Sequence, residues 1–252
     1  MKLLVDIGNS THHIIGCPSE TPVFTVVFEK KIASCQLNFD DLYAQLHSLP
    51  LKVIIIASVV PQDVIFWQDM AQRLNIPFHI IRYHDNFSFK INIPSPEMIG
   101  IDRLLALEGG LGHDSQNDIL VIDSGTAITC DFLSKDRIFS GGMILAGINM
   151  MRQALHEKTA CLPLVIQDYQ TIPPLQGDNT QTAIQAGLYW GQIALIEGLI
   201  GLFKTTYPAI ITIATGGGLG FCHDNVKSLD YYDAYLLIKG IFSLSHKLKM
   251  DL

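Results

Sequence analysis

Positive charge is scarce in this sequence, which has 17 Lys and Arg residues against 24 Asp and Glu residues and a formal net charge of −7. Lys and Arg residues do not form a basic run anywhere along the 252 residues. Because nucleic-acid backbones are held by clustered Lys and Arg side chains, this composition argues against a nucleic-acid partner.

The sequence also has few apolar runs of the length that a membrane requires. The first one is interrupted by Asp6, before the hydrophobic region of a signal peptide would be complete. The run VIIIASVV at positions 53–60 has the length of a strand and is far short of the roughly 20 residues that span a bilayer. We therefore expect a cytoplasmic protein without a membrane partner.

Paired cysteines are missing as well. The 5 cysteines are scattered, odd in number and form no CxxC motif, which is typical of reduced thiols. Cys130 lies in an alternating, strand-like segment, so we expect a small packed thiol there and not a nucleophile. His12 and His13 point to opposite faces of a strand, a poor geometry for one metal ion, and we interpret both as structural or surface residues.

Patterns of period two and period 3.6 alternate along the chain and predict strands and helices in turn. Such alternation implies mixed sheets covered by helices, which is the α/β class. Strands are predicted within 2–10, 12–17, 23–30, 52–61, 78–83, 119–133 (two strands and a turn), 137–145 and 209–218, and helices within 38–49, 62–75, 102–111, 147–159, 179–206 and 233–248.

The chain reads as two copies of one plan, because each half opens with an apolar strand, an Asp, a Gly and a hydroxyl-bearing turn. These openings are VDIGNS, which contains Asp6, and IDSGTA, which contains Asp123. We place the boundary in the polar segment 113–118, which gives an N-terminal domain 1–115 and a C-terminal domain 116–252.

Each acidic turn has two readings. A Gly beside Ser or Thr after a buried strand lets backbone N–H groups approach a phosphate, while the Asp carboxylate faces a metal ion. Each could equally be an ordinary hairpin turn, since Asp and Gly are common turn formers. A third glycine turn, TGGGL at 215–219, follows another apolar strand and favours nucleotide binding. Because the Walker sequence and GxGxxG are both absent, any nucleotide must be held by the paired hairpins.

A further motif, GIDR at 100–103, opens a helix. Asp102 could serve only the helix dipole, and Arg103 could be a surface residue. Alternatively, the acid and the base together could hold a hydroxylated carboxylate, because the planar Arg fork matches a carboxylate.

Three glycine turns after three strands resemble the actin-like ATPase superfamily, which includes sugar kinases and chaperone ATPases. The resemblance implies an α/β fold of two ribonuclease H-like domains, each a mixed β-sheet flanked by helices. It also implies an active site in the cleft between them, where ATP lies between two phosphate-binding hairpins.

The order of the motifs narrows this resemblance to type III pantothenate kinase. DIGNS, GIDR, DSGTAIT, GGMILAG, GDNTQTAIQAG and TGGG occur in the order typical of that family, over nearly the whole chain. The resemblance implies transfer of the γ-phosphoryl group of ATP to the primary hydroxyl of pantothenate, the first step of coenzyme A biosynthesis. It further implies Mg²⁺ with ATP, a monovalent cation (K⁺ or NH₄⁺) and a homodimer whose pocket is completed across the interface.

The resemblance also implies roles for individual residues. Asp102 matches the general base and Asp123 a ligand of the monovalent cation. The residues that match ATP contacts are Asp6 (also near Mg²⁺), Ile7, Gly8, Asn9, Ser10 and Thr126. Those that match substrate contacts are Ile93, Gly100, Ile101, Asp102, Arg103 and Thr180.

Three departures from the family pattern bear on these expectations. Ile93 stands where a Tyr usually lines the pantothenate pocket, which could alter substrate recognition. Ala146 replaces a Pro, and His12 and His13 replace small polar residues near the first loop. Two alternatives therefore stay open: a kinase of another small hydroxylated acid or sugar, and a non-catalytic accessory or regulatory protein of the same fold.

Overall fold

The computed structural model describes residues 1–166 and 171–248. The chain divides into two compact units: Met1–His113 together with the segment that begins at Tyr235, and Asp114–Ala234. The chain passes from the first unit to the second after His113, close to the expected boundary at residue 115. The last helix differs, because the sequence-based division places it in 116–252 whereas the structure packs it in the first unit.

The first unit contains a five-stranded mixed sheet in the order β3-β2-β1-β4-β5. β1 pairs antiparallel with β2 and parallel with β4, and the outer pairs are β2–β3 (antiparallel) and β4–β5 (parallel). Its elements are β1 (Lys2–Ile7), β2 (Thr11–Cys17), β3 (Phe28–Ala33), α1 (Phe39–His47), β4 (Val53–Ser58), α2 (Asp63–Leu74), β5 (Phe78–Ile80), β6 (Lys90–Ile91) and α3 (Ile101–Gly110).

The second unit repeats this plan. β7 pairs antiparallel with β8 and parallel with β10, β9 extends the antiparallel side, and β11 extends the parallel side. Its elements are β7 (Ile119–Ser124), β8 (Ala127–Leu133), β9 (Ile138–Ala146), α4 (Ile148–Glu157), α5 (Thr180–Thr206), β10 (Ile211–Thr215) and β11 (Tyr231–Tyr232), and α6 (Leu236–Ser245) follows in the first unit. The expected α/β class with mixed sheets and an internal repeat is confirmed.

The third strand lies further along the chain than the sequence pattern indicates. The β-branched run at 23–30 predicts a strand there, but β3 is Phe28–Ala33. Its register pairs Phe28 with Gly16 and Ala33 with Thr11. Val23 and Val27 are left 66% and 58% exposed. Pairing with β2, and not local propensity, therefore determines where this strand begins.

A buried carboxylate fastens α6 to α3. Glu108 accepts hydrogen bonds from Ser88 N at 2.8 Å, Ser243 Oγ at 2.7 Å and Lys247 Nζ at 2.6 Å. Burial alone would raise the pKa of Glu108, but these donors outweigh burial and hold the pKa below its usual value. A fully hydrogen-bonded carboxylate of this kind stays charged inside the unit and fixes how the two helices meet.

The 27-residue helix α5 provides much of the second core. Among the residues that the structure describes, it is the one helix that is long and apolar enough to span a bilayer, judged by length and composition alone. Buried core helices pass the same test, and Ile193, Ile196 and Ile200 of α5 are 7%, 0% and 0% exposed within the core of their unit. Packing accounts for the apolar character of this helix.

Candidate functional site

The first hairpin connects two buried strands through a tight turn. β1 ends at Ile7, β2 begins at Thr11, and Gly8 N donates to Thr11 O at 3.0 Å. Asn9 and Ser10 are exposed in this turn, while the Ile7 side chain is fully buried. The turn therefore presents backbone and small polar groups to solvent, and Ile7 can contribute only its backbone to a ligand.

Asp6 is the penultimate residue of β1 and lies close to α3, the helix that begins within the GIDR motif. Burial and the nearby Asp102 carboxylate together raise the pKa of Asp6 to about 7, and Lys31 opposes the shift. Burial also raises the pKa of Asp102, and the Arg103 N–H and guanidinium offset part of that rise. The structure thus brings two carboxylates from distant sequence positions into electrostatic contact.

The GIDR turn holds Asp102 in a defined orientation. Gly100 precedes the first turn of α3, and Asp102 Oδ1 accepts a hydrogen bond from Arg103 N at 2.9 Å. The carboxylate folds back so closely that a Cβ added at Gly100 would overlap Oδ1. Ile101 is buried at the base of the turn. Gly100 is therefore the residue type that leaves room for this carboxylate orientation.

A cavity of about 590 Å³ adjoins the GIDR turn in the first unit. It opens at the carboxyl ends of the parallel strands β4 and β5, the sheet edge where ligands of open α/β sheets are usually bound. Ile93 is half-buried in the loop between β6 and α3. The lining includes Ser58, Ile80, Arg82, Tyr83, Glu97 and Gly100.

The second hairpin has the same construction as the first. Gly125 N donates to Ala127 O at 2.9 Å, and Thr126 is exposed at the tip. Gly147 N donates to Thr126 O at 3.1 Å, which ties the end of GGMILAG to this turn despite Ala146. Asp123 lies between Thr129 and Thr215 of the neighbouring strands.

The third glycine turn packs against the second hairpin. Gly216 has φ of +93°, and a Cβ there would overlap Ser124 O and Asp123 Oδ1. Tyr232 donates from its hydroxyl to Gly216 O at 3.2 Å. Burial is the main cause that raises the pKa of Tyr232, and the nearby Asp123 charge raises it further. Asp123 is thus enclosed by two glycine turns and a tyrosine of its own unit.

Thr180 lies in a different part of the second unit. It begins α5 and is exposed, directly after Asn179, which forms a capping box with Thr182. Thr180 lines a groove of about 1040 Å³ between α4 and the start of α5. It therefore belongs to another surface than the turns around Asp123.

The two histidines beside the first turn have structural partners. His12 is fully buried, accepts from Trp67 Nε1 at 3.1 Å through Nδ1, and lies 2.9 Å from Asp63 Oδ2 through Nε2. His13 lies 2.9 Å from Glu29 Oε1 on the opposite face. Their placement agrees with the structural role expected for both.

The thiol in the second hairpin strand is buried. Cys130 is fully buried, and burial raises the pKa of its thiol to about 12. Because nucleophilic cysteines need an accessible thiolate, Cys130 has a packing role, as expected.

The carboxylates of the first unit fit a divalent cation. Mg²⁺ in phosphate-transfer sites is usually bound by one or two carboxylates and the phosphates themselves. Burial is the main cause that raises the pKa of Asp6 to about 7, and the Asp102 charge adds to it. A nearby cation would favour the charged forms of both.

The sequence did not indicate a role for two buried residues near these turns. Gln192 on α5 and Ser124 at the end of β7 are buried polar residues joined by a hydrogen bond of 2.7 Å. The only signal in the sequence was a polar residue within the apolar stretch GLYWGQIALIEG. That signal does not indicate what the residue contacts.

Comparisons with known proteins agree with the motifs. A sequence model of the family described as type III pantothenate kinase matches residues 2–201. A type III pantothenate kinase from Caulobacter vibrioides is 35% identical over 196 residues, covering 77% of this chain and 75% of that protein.

Solved structures resemble the whole chain at low sequence identity. A putative Baf family transcriptional activator from Campylobacter jejuni has a TM-score of 0.60 at 22% identity, covering 97% of this chain and 98% of that one. A putative 2-dehydro-3-deoxygalactonokinase from Sinorhizobium meliloti has a TM-score of 0.63 at 16% identity, covering 100% and 98%. At these identities the likeness establishes the fold alone, which is that of the actin-like ATPases.

Proposed function

Because the chain belongs to the type III pantothenate kinase family, we propose that it transfers the γ-phosphoryl group of ATP to the primary hydroxyl of pantothenate, the first step of coenzyme A biosynthesis. The observation that carries this proposal is Asp102, held at the first turn of α3 in electrostatic contact with Asp6. A base beside a phosphate-binding turn is the arrangement that phosphorylation of an alcohol requires.

Asp102 is the proposed general base. Its raised pKa makes it a better proton acceptor than an exposed Asp. Phosphoryl transfer passes through a loose transition state, so Asp102 needs only to orient the substrate hydroxyl and accept its proton late. Gly100, Ile101 and Arg103 form the surrounding substrate turn, in which the Arg103 guanidinium pairs with the acid substrate.

The hairpins are the proposed phosphate contacts. Gly8, Asn9 and Ser10 present backbone and side-chain donors at one turn, and Thr126 presents its hydroxyl at the other. Asp6 would hold a divalent cation, Mg²⁺ in our proposal, and Asp123 would hold K⁺ or NH₄⁺. When bound, these cations offset the charge of the phosphates.

Thr180 and Ile93 are proposed substrate contacts. Thr180 lies in the groove of the second unit and not beside Asp123. Its role therefore depends on the homodimer that we also propose, in which a second copy completes the pocket. We further propose a cytoplasmic location and no membrane or nucleic-acid partner.

One assay tests the function. The purified protein is incubated with MgATP, KCl and pantothenate, and ADP release and product mass are measured. The expected product is phosphopantothenate, with a slower rate when NaCl replaces KCl. Other hydroxylated acids and sugars are tested in parallel, because Ile93 departs from the family pattern. A folded protein that phosphorylates none of them, or only another acceptor, contradicts the proposal.

A further inference from the structure

A buried glutamine joins two loops of the second unit. Gln192 Nε2 donates to Ser124 Oγ at 2.7 Å and to Gly218 O at 3.0 Å. Gln192 and Ser124 are both 0% exposed. Ser124 directly follows Asp123 at the end of β7, and Gly218 belongs to the glycine turn after β10. One carboxamide on α5 therefore ties the strand end that carries Asp123 to this turn.

The chemistry of these contacts requires an N–H donor. The carbonyl oxygen of Gly218 can only accept, so the NH₂ side of the carboxamide must face it. Gly218 N donates to Ser124 O at 2.7 Å, which adds a backbone bond to the same junction. Three hydrogen bonds thus converge where the glycine turn meets β7.

Core packing alone does not account for a glutamine at this position. The carboxamide oxygen of Gln192, Oε1, is buried and has no hydrogen-bond partner within the described part of the chain. A buried polar atom without a partner costs stability. Met or Leu would fill the same space in this apolar core without that cost. The carboxamide is therefore retained for the two contacts that its NH₂ group makes.

We propose that Gln192 is a positioning residue for the nucleotide, which holds the turn at 216–218 against β7 and so sets the affinity for ATP without contacting substrate. The glycine turn has no side chains with which to fix its own position, and Gly216 already has a positive φ. A donor from α5 supplies that constraint. The inference rests on the proposed function, because it takes these turns as the nucleotide site.

The test uses substitutions at the glutamine and its partner. Gln192→Met keeps the volume and removes both donated bonds, and Ser124→Ala removes one acceptor without touching α5. Gln185→Met is the matched control, since Gln185 lies on the same helix and, within the described part of the chain, makes only a 3.4 Å contact with Ile166 O. For each variant, KM for ATP, KM for pantothenate, kcat, MgADP affinity by calorimetry and melting temperature are measured.

We expect Gln192→Met to raise KM for ATP and the Kd for MgADP about tenfold, the effect of losing one or two buried hydrogen bonds. KM for pantothenate should stay within about twofold, and Ser124→Ala should show a smaller effect of the same kind. Equal changes in both KM values, or a lower melting temperature with unchanged nucleotide affinity in both variants, would overturn the inference.

A pH profile separates positioning from simple packing. Gln192→Glu can donate to Gly218 O only when its buried carboxyl group is protonated, so its MgADP affinity should fall as pH rises. Gln192→Met should show no such additional pH dependence, and the same profile in both variants contradicts the proposal. If the wild-type protein binds MgADP but does not phosphorylate pantothenate, only the proposed reaction fails. If it does not bind MgADP, the inference about Gln192 fails as well.

Discussion

The Asp102 carboxylate folds back over Gly100 so closely that any Cβ at Gly100 would overlap Asp102 Oδ1. Gly100 has φ of −56° and ψ of 127°, which other residues also adopt, so backbone strain does not explain the glycine. The glycine is required by the position of the neighbouring carboxylate. Since a carboxylate can rotate away, substitution there should affect the chemistry more than the fold.

Gly100→Ala is therefore expected to lower kcat by more than about tenfold, because it displaces the base. Its free energy of unfolding should change by about 1 kcal/mol or less. Steady-state kinetics and urea unfolding measure the two quantities. Gly198→Ala, at an open position on α5, is the control and should raise stability by about 0.5 to 1 kcal/mol. A Gly100→Ala protein with normal kcat would contradict this account.

Asp102→Asn should lower kcat by about 10² to 10⁴-fold, because the amide cannot accept the substrate proton. It also removes the charge that helps to raise the pKa of Asp6. MgADP affinity, measured by calorimetry, should therefore stay the same or improve. An Asp102→Asn enzyme with an unchanged turnover rate would falsify the role of Asp102 as base.

Asp6→Asn should stabilise the protein, and more so at higher pH. The pKa of Asp6 is about 7 in the folded protein, against an ordinary value of 3.8. Between these pH values the folded state keeps a proton that the unfolded state releases, so stability falls as pH rises to about 7. Asn does not titrate, and its advantage should grow by on the order of 2 to 3 kcal/mol between pH 5 and pH 8.

Urea unfolding at both pH values measures this difference. Asp69→Asn, the same exchange at an exposed position on α2, is the control. An equal pH dependence in the two variants would mean that Asp6 is not held in its neutral form by burial and Asp102.

Two adjacent glycines should respond very differently to alanine. Gly216 has a positive φ, and a Cβ added there would overlap the backbone oxygen of Ser124. A Cβ added at Gly217 would have no atom of the described residues within 4 Å, apart from those of its chain neighbours. We expect Gly216→Ala to lose about 2 kcal/mol or more of unfolding free energy and Gly217→Ala to stay within about 0.5 kcal/mol. Thermal or urea unfolding of the two variants measures these free energies. Similar losses in both variants would contradict the packing around Gly216.

Ile93→Tyr tests the departure from the family pattern. If the missing hydroxyl limits recognition, the variant should lower KM for pantothenate by about fivefold, the effect of one hydrogen bond. KM for ATP should not change. Ile93→Phe adds the ring without the hydroxyl and is the matched control. The same KM in the Tyr and Phe variants would mean that this hydroxyl has no part in binding.

Much of the fold was predictable because its signals are local. The runs around β1, β4 and β7 are apolar and β-branched, so their strand character follows from the residues themselves. The strand at 23–30 was misplaced for the same reason, since a β-branched run signals a strand without saying where it pairs. β3 begins at Phe28 because its partner β2 determines the register.

The sequence by itself determined the two acidic hairpins, the GIDR turn, the mixed α/β sheets and the family to which the chain belongs. Only the tertiary structure decided that α6 returns to the first unit through the buried Glu108, that Asp102 acts on the pKa of Asp6, and that Gln192 fastens the glycine turn to β7. Turns and strands depend on neighbouring residues, and so a sequence displays them. Buried polar contacts join residues far apart along the chain, and their geometry exists only once the core has packed.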